Sequence, residues 1–339
     1  MKKLIFILIL GLLTAACDQQ KEMTEQNGEK IKKVTPAKPK GPVLKLRYDF
    51  QKGDRFSYSL TTKSNNTEEI IADTTISNEI IQNATYKIDF RVKNILDDYS
   101  AQMEVRITAI TAETVFNGQS VKYDSKFLYS SRERVQFVDY ESVKKVPFTI
   151  TVNPLGQVTK VEKTEKIMRN ILDIQKIPDT LSKKTKEQML FNISNGTLMP
   201  LTQQIFKVLS ADEVGVDSAW TLKFSTPLAV FNVENTAVFK VEGINFDQDT
   251  TIDISSTLFI NVKGNNVVNE NGVTYTFSQP VLNAEGKVKY NNSKGLVESS
   301  ESVTTVEMTS YIQGFDSENN QLTSTKKDFS TNKNIVKLL

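Results

Sequence analysis

The feature that most limits how this chain can fold is a period-two alternation of apolar and polar residues along most of its length. Tyr86, Ile88, Phe90 and Val92 alternate with Lys87, Asp89 and Arg91, and Ala101, Met103, Val105, Ile107 and Ala109 alternate with Gln102, Glu104, Arg106 and Thr108. Phe148, Ile150 and Val152 repeat the device. Neighbouring side chains of a strand point to opposite faces, so such runs suit antiparallel sheet with one face covered and the other in water. Asn117-Gly118 and Asn153-Pro154-Leu155-Gly156 supply turns. After Val216 the pattern returns. Trp220, Leu222 and Phe224 share a face, as do Ala237, Phe239 and Val241, then Leu258, Ile260 and Val262, then Tyr275 and Phe277. Asn271-Gly272 and Glu285-Gly286 read as tight turns, and last strands are expected near Lys287 to Tyr290 and Val303 to Ile312. The tail beyond, rich in Ser, Thr, Asn and Lys, reads as an edge strand or as disordered chain.

Between the two β regions the period changes. Ile167, Ile171 and Ile174, flanked by Met168 and Leu172, have the spacing of an amphipathic helix. Asp179 or Thr180 can cap a second helix that Asn195-Gly196 would end. Pro200 fits the first turn of a third, whose apolar face is Leu201, Ile205, Val208 and Leu209. These stripes need a covering surface, and the apolar face of the sheet is the one available. The expected class is β-dominant α+β: two curved antiparallel sheet regions, residues 44–162 and 211–339, flanking a helical segment at 163–210 packed on their apolar faces. Each β region ends in a strand, a glycine turn and a strand resuming at Val158 or Val297, which leaves a duplication open.

The amino end has a different logic. Lys2 and Lys3 precede an uncharged apolar run from Leu4 to Leu13, and Thr14-Ala15-Ala16 sets small side chains before Cys17, the chain's one cysteine. That is the layout of a secretory signal whose apolar core is too short to span a bilayer. The position of Cys17 resembles the lipobox of bacterial lipoproteins, which implies cleavage after residue 16 and a diacylglycerol on the Cys17 sulfur. Each buried methylene contributes about 0.8 kcal/mol, so two or three acyl chains anchor a protein that one chain would hold only reversibly. Residues 17–43 then read as a tether ending in Pro36-Ala37-Lys38-Pro39-Lys40-Gly41-Pro42. As a coil it would hold the folded part roughly 25–30 Å from the membrane. Asp18 bears on sorting under rules that differ between bacterial lineages, so inner and outer membrane both stay open.

Composition narrows the chemistry. The chain carries 42 basic and 40 acidic residues, and loss of Lys2 and Lys3 with the signal would leave the mature chain formally neutral. A nucleic-acid partner is therefore not expected. There is no histidine, so no Ser-His-Asp or Cys-His pair and no HExxH zinc helix can form. Acylation of Cys17 would remove the one thiol. No catalytic residue, metal site or cofactor site is assigned, and an enzyme would have to rely on carboxylates or a Ser–Lys pair.

Two groupings invite chemistry and are read plainly. Asp247, Asp249 and Asp253 lie close in sequence, but they lack the glycine and terminal glutamate of a calcium-binding EF-hand loop, so a polar turn is the expectation. Ser142-Val143-Lys144-Lys145 matches S-x-x-K but sits in strand-like sequence without the companion elements of acyl-transfer enzymes. Trp220 is expected in the core or at its rim.

Two segments carry a further resemblance: Leu44-Lys45-Leu46-Arg47-Tyr48-Asp49-Phe50-Gln51-Lys52-Gly53-Asp54, and Pro147-Phe148-Thr149-Ile150-Thr151-Val152-Asn153-Pro154-Leu155-Gly156-Gln157-Val158. They resemble a family of uncharacterised, β-rich Gram-negative lipoproteins, which implies a strand, a Lys-Gly-Asp turn and a second strand directly after the tether. In layout alone the chain is similar to lipoprotein-carrier half-barrels. The expected function is a lipid-anchored cell-envelope protein, not an enzyme, that reaches the membrane through Cys17 and binds an apolar ligand or an envelope-protein partner. The alternatives are an assembly lipoprotein without a pocket and, third, a carboxylate or Ser–Lys enzyme.

Overall fold

The computed structural model describes residues 40–315 and 320–339. Cys17, the signal segment and most of the expected tether lie outside the described residues. In chain order the strands are β1 (Lys40–Leu44), β2 (Arg55–Ile71), β3 (Thr75–Ile95), β4 (Ala101–Phe116), β5 (Gln119–Asp124), β6 (Phe148–Val152), β7 (Val158–Glu162) and β8 (Val214–Val216). They continue as β9 (Ala219–Leu228), β10 (Phe231–Asn245), β11 (Thr251–Lys263), β12 (Val267–Glu270), β13 (Val273–Phe277), β14 (Val281–Asn291), β15 (Leu296–Phe315) and β16 (Gln321–Leu338). Helices α1 (Ser131–Gln136) and α2 (Val138–Glu141) fall before β6. Helices α3 (Glu165–Gln175), α4 (Lys183–Phe191) and α5 (Met199–Gln203) fall between β7 and β8.

The alternating sequence folds as antiparallel strand, and the β-dominant class stands. The two strand-rich stretches, however, are hydrogen-bonded into one 14-stranded sheet whose main path is β7-β6-β4-β3-β2-β16-β15-β14-β11-β10-β9. The join is β16, paired with β15 on one side and with β2 on the other. The polar tail is thus neither an edge strand nor loose chain over Gln321–Leu338. Its polarity misled because the inward positions of β16 pass from the core, at fully buried Val336, to a polar stretch at Asn332, Ser330, Asp328 and Lys326 that faces open space.

Three other expectations need correction. Glu285-Gly286 is not a turn but lies within β14, opposite Thr257-Ser256 on β11. A Cβ on Gly286 would come 2.7 Å from the Ser256 hydroxyl oxygen, so the glycine marks a close strand approach. Residues 40–44, given to the tether up to 43, form β1 and pair with β8. Alternation over 44–162 is also broken by α1 and α2. Helix α1 starts at a capping box in which the Ser130 hydroxyl accepts from the Glu133 N–H and the Glu133 carboxylate accepts from the Ser130 N–H.

Asn117-Gly118 and Asn271-Gly272 do form two-residue hairpins, β4–β5 and β12–β13, with positive φ at both residues of each. In the helical segment, α3 buries Ile167, Met168, Leu172 and Ile174. Helix α4 is capped by Ser182 rather than by Asp179 or Thr180. Asn195-Gly196 does not end it, because the chain continues through a π-helical turn at Asn192–Leu198 into α5, where Pro200 occupies the first turn.

Buried side chains of α3 and of the segment after α5 share one cluster with the inward strand residues: Ile167, Leu172, Ile205 and Phe206 lie among Tyr58, Leu60, Ile88, Phe90, Met103 and Tyr290. Leu46, Tyr48 and Phe50, in an extended segment outside any ladder, enter the same cluster by alternate burial. Tyr58 and Tyr290 are fully enclosed and satisfy their hydroxyls on distant carbonyls: Tyr58 donates to Val297 at 2.7 Å, and Tyr290 donates to Arg47.

Candidate ligand cavity

The inward face of the sheet is filled at one end only. In register, inward residues run from Tyr58 and Leu60 on β2 to Tyr86 and Ile88 on β3, and this end meets the helices. Farther along the same strands a cavity of about 750 Å³ opens, bordered by helix residues only at Gln136 and Gln203 among the described residues. Its apolar wall residues alternate along their strands, and Leu222, Phe224, Ala237, Phe239 and Leu258 are ones the sequence pattern assigns to the apolar face. On the C-terminal strands these include Leu222 and Phe224 of β9, Val233, Ala237 and Phe239 of β10, Leu258 of β11, Leu282 of β14 and Val306 of β15. Ile80 of β3, Phe116 of β4 and Val121 of β5 line the same space. The lining therefore draws on strands from both halves of the sequence.

The floor is set by the segment after α5. Phe206 is buried and meets Phe90 edge-on at 5.4 Å between ring centroids, with Tyr48, Phe50 and Phe56 around it. The Asn153–Gly156 turn fixes this segment. Leu209 donates its N–H to Leu155, Gln203 donates through Nε2 to Gly156, and Tyr48 Oη accepts from the Lys207 N–H at 2.8 Å. Gly156 has φ +86°, and a Cβ there would fall 2.3 Å from the Tyr48 ring and 2.4 Å from the Lys207 carbonyl, so only glycine lets the turn sit this close. Lys207 is thereby held at the cavity lining.

Two cations line the cavity and differ in company. Lys326 of β16 pairs with Glu68 at 2.9 Å and Asp328 at 2.8 Å. Nearby, Ser330 donates to Asn66 and accepts from Asn332, and the Asn235 amide donates to Thr226 and to the Val233 carbonyl. Lys207 has no carboxylate within ion-pairing distance among the described residues. Burial alone pushes its ammonium down to about 8. The residue as a whole is half-buried. One helical step back, Gln204 is buried, lines the same space, and its side-chain oxygen has no hydrogen-bond partner. Neither residue stands out in the sequence, where both look like the polar end of a helix.

The groupings weighed in the sequence do not assemble into sites. Ser142 is buried at the end of α2, Lys145 is exposed with φ +60°, and Lys144 is engaged by Glu141 at 2.8 Å. The strand context expected for that motif is replaced by a helix end, but serine and lysine are not brought together. Asp249 pairs with Lys294 at 2.6 Å and accepts from Asn291, while Asp253 lies on β11 opposite Gly243. Trp220 is half-buried, stacks on Phe239 at 5.4 Å and donates its indole N–H to Val208. Cys17 lies outside the described residues.

The chain belongs to a family of unknown function, DUF6263, which it matches over residues 98–297. No protein of curated function matches it in sequence. Among solved structures it is similar to one of lipovitellin described for its lipid–protein interactions, at 11% identity and TM-score 0.44, over 86% of this chain and 25% of that one. It thus spans about a quarter of the lipovitellin chain's length. It is also similar, at TM-score 0.21 and 6% identity, to OccK7 of Pseudomonas aeruginosa, over 84% of this chain and 99% of that one. The COG4313 outer membrane channel of Pseudomonas putida F1 gives TM-score 0.17 at 10% identity, over 86% and 98%.

Proposed function

We propose that this chain is a lipid-anchored protein of the bacterial cell envelope that holds an apolar ligand in the cavity and performs no catalysis. The cavity itself carries the reading. At about 750 Å³ it lies within the ~300–1,000 Å³ range of small-molecule sites, and its wall surface is mainly apolar, with polar and charged residues such as Asn66, Glu68, Asp328 and Asn332 gathered on β2 and β16. On this reading the sheet curls around the ligand while the helical segment closes one end, and Cys17 holds the assembly at the membrane. The absence of histidine and the separation of Ser142 from Lys145 support a binding role over an enzymatic one. The assembly reading draws on exposed apolar side chains such as Phe127 and Leu128 in a turn and Tyr311, Phe315 and Leu322 on β15 and β16, which are scattered over several elements.

Mass spectrometry of the membrane-extracted protein tests the proposal. The account expects an acylated Cys17 and a co-purifying lipid, with the lipid lost from an Ala284→Trp variant whose indole fills the cavity. A lipid-free parent, or equal lipid in both proteins, would overturn the ligand-binding role. An unmodified Cys17 would overturn the anchor.

A further inference from the structure

We infer that the ligand is a fatty-acyl amphiphile bound head-inward, its carboxylate held by Lys207 and Gln204 at the cavity floor. The inference rests on the binding role proposed above and names the ligand's chemistry. Its basis is the contrast between the cavity's two lysines. Lys326 already has two carboxylates, whereas Lys207 has none among the described residues and borders walls of Leu, Val, Phe and Ala. A cation placed against apolar surface is costly unless an anion meets it, and among the described residues no carboxylate reaches Lys207, Glu68 and Asp328 of the same cavity being engaged by Lys326.

Gln204 lines the same cavity, and its buried side-chain oxygen lacks a donor. An amide can turn to present its N–H₂ group. An ammonium and an amide together supply donors for the two oxygens of a carboxylate, and the apolar walls beyond suit a hydrocarbon tail. The backbone holds this arrangement ready, because Lys207 is tied through Tyr48 and the Gly156 turn rather than through its own side chain.

The test compares parinaric acid with its methyl ester, which keeps the tail and removes the charge. Binding is followed by fluorescence on the full chain purified from membranes and exchanged into amphipol. The acid should bind at least about tenfold more tightly than the ester, the scale of a desolvated charge pair. Lys207→Met should abolish that preference by weakening the acid and leaving the ester unchanged, and Lys207→Arg should retain it. Equal binding of acid and ester by the parent, or undiminished acid binding by Lys207→Met, would overturn the inference while leaving an apolar-ligand role standing. Binding of neither probe would remove both. If Lys207→Met fails to fold, the acid-to-ester ratio of the parent decides alone.

Discussion

Replacing Lys207 by methionine should make the ligand-free protein more stable, an outcome opposite to that of most core substitutions. In the folded chain the ammonium sits at about 8 instead of 10.5. At about 1.4 kcal/mol for each tenfold in proton affinity, holding the charge at neutral pH costs the fold about 3 kcal/mol. The half-buried side chain can relax toward the open part of the cavity, so the expected gain for Lys207→Met at pH 7 is about 1–3 kcal/mol, or about 2–5 °C in Tm. The pH dependence has a definite sign. Between about pH 8 and 10.5 the unfolded chain keeps the proton that the folded chain has released, so stability of the parent rises with pH in that window. Below it, the penalty is constant. The other charged groups bordering the cavity, Glu68, Glu285, Glu301, Lys326 and Asp328, lie on strands, and Tyr48 is pushed by burial well above its ordinary range. Buried Tyr58 and Tyr86 are likewise raised; they favour the folded state less as the unfolded tyrosines ionise, so measurements belong between about pH 8 and 9.5. Urea unfolding of delipidated protein reads both effects, with parent and Lys207→Met compared at pH 7 and the parent followed from pH 8 to pH 9.5. A parent with flat or falling stability over that interval, or a Lys207→Met variant no more stable than the parent at pH 7, would refute the reasoning.

Other substitutions probe the frame that presents Lys207. Gly156→Ala should destabilise by about 3 kcal/mol or more in chemical denaturation, because a β-carbon there overlaps Tyr48 and the Lys207 carbonyl in a positive-φ backbone. Phe206→Ala should cost about 3–5 kcal/mol by the same assay, since it empties the centre of the aromatic floor. Ending the chain at Phe315 should abolish cooperative unfolding and give aggregation-prone material by light scattering, because β2 and β15 would become unpaired edges.

The strand face was readable and its occupancy was not. Leu222, Ala237, Phe239 and Leu258 show by spacing that they share a side, but a period of two is the same whether the facing space holds helix or ligand. Polar residues on an inward face are the converse problem. Asn332, Ser330, Asp328 and Lys326 make β16 look like a solvated tail, yet their cavity position gives them hydrogen bonds and ion pairs within the sheet. Asn-Gly pairs announced their hairpins because both residues need positive φ. Glu285-Gly286 deceived because glycine also serves where two strands crowd. The helix that interrupts the alternation starts at the Ser130 and Glu133 capping box, an S-x-x-E pattern that the strand reading of residues 44–162 passed over. Lys207 could not have been singled out from sequence, since its lack of an anionic partner is a property of three-dimensional surroundings.

Photolabelling with a diazirine-bearing fatty acid, followed by peptide mapping, tests most directly whether the inward face of the sheet holds a hydrocarbon chain. Label should concentrate on inward positions such as Leu222, Leu258 and Val306 and fall away when Ala284→Trp fills the space. Label spread over outward positions such as Lys87 and Lys287, unchanged in that variant, would contradict the account.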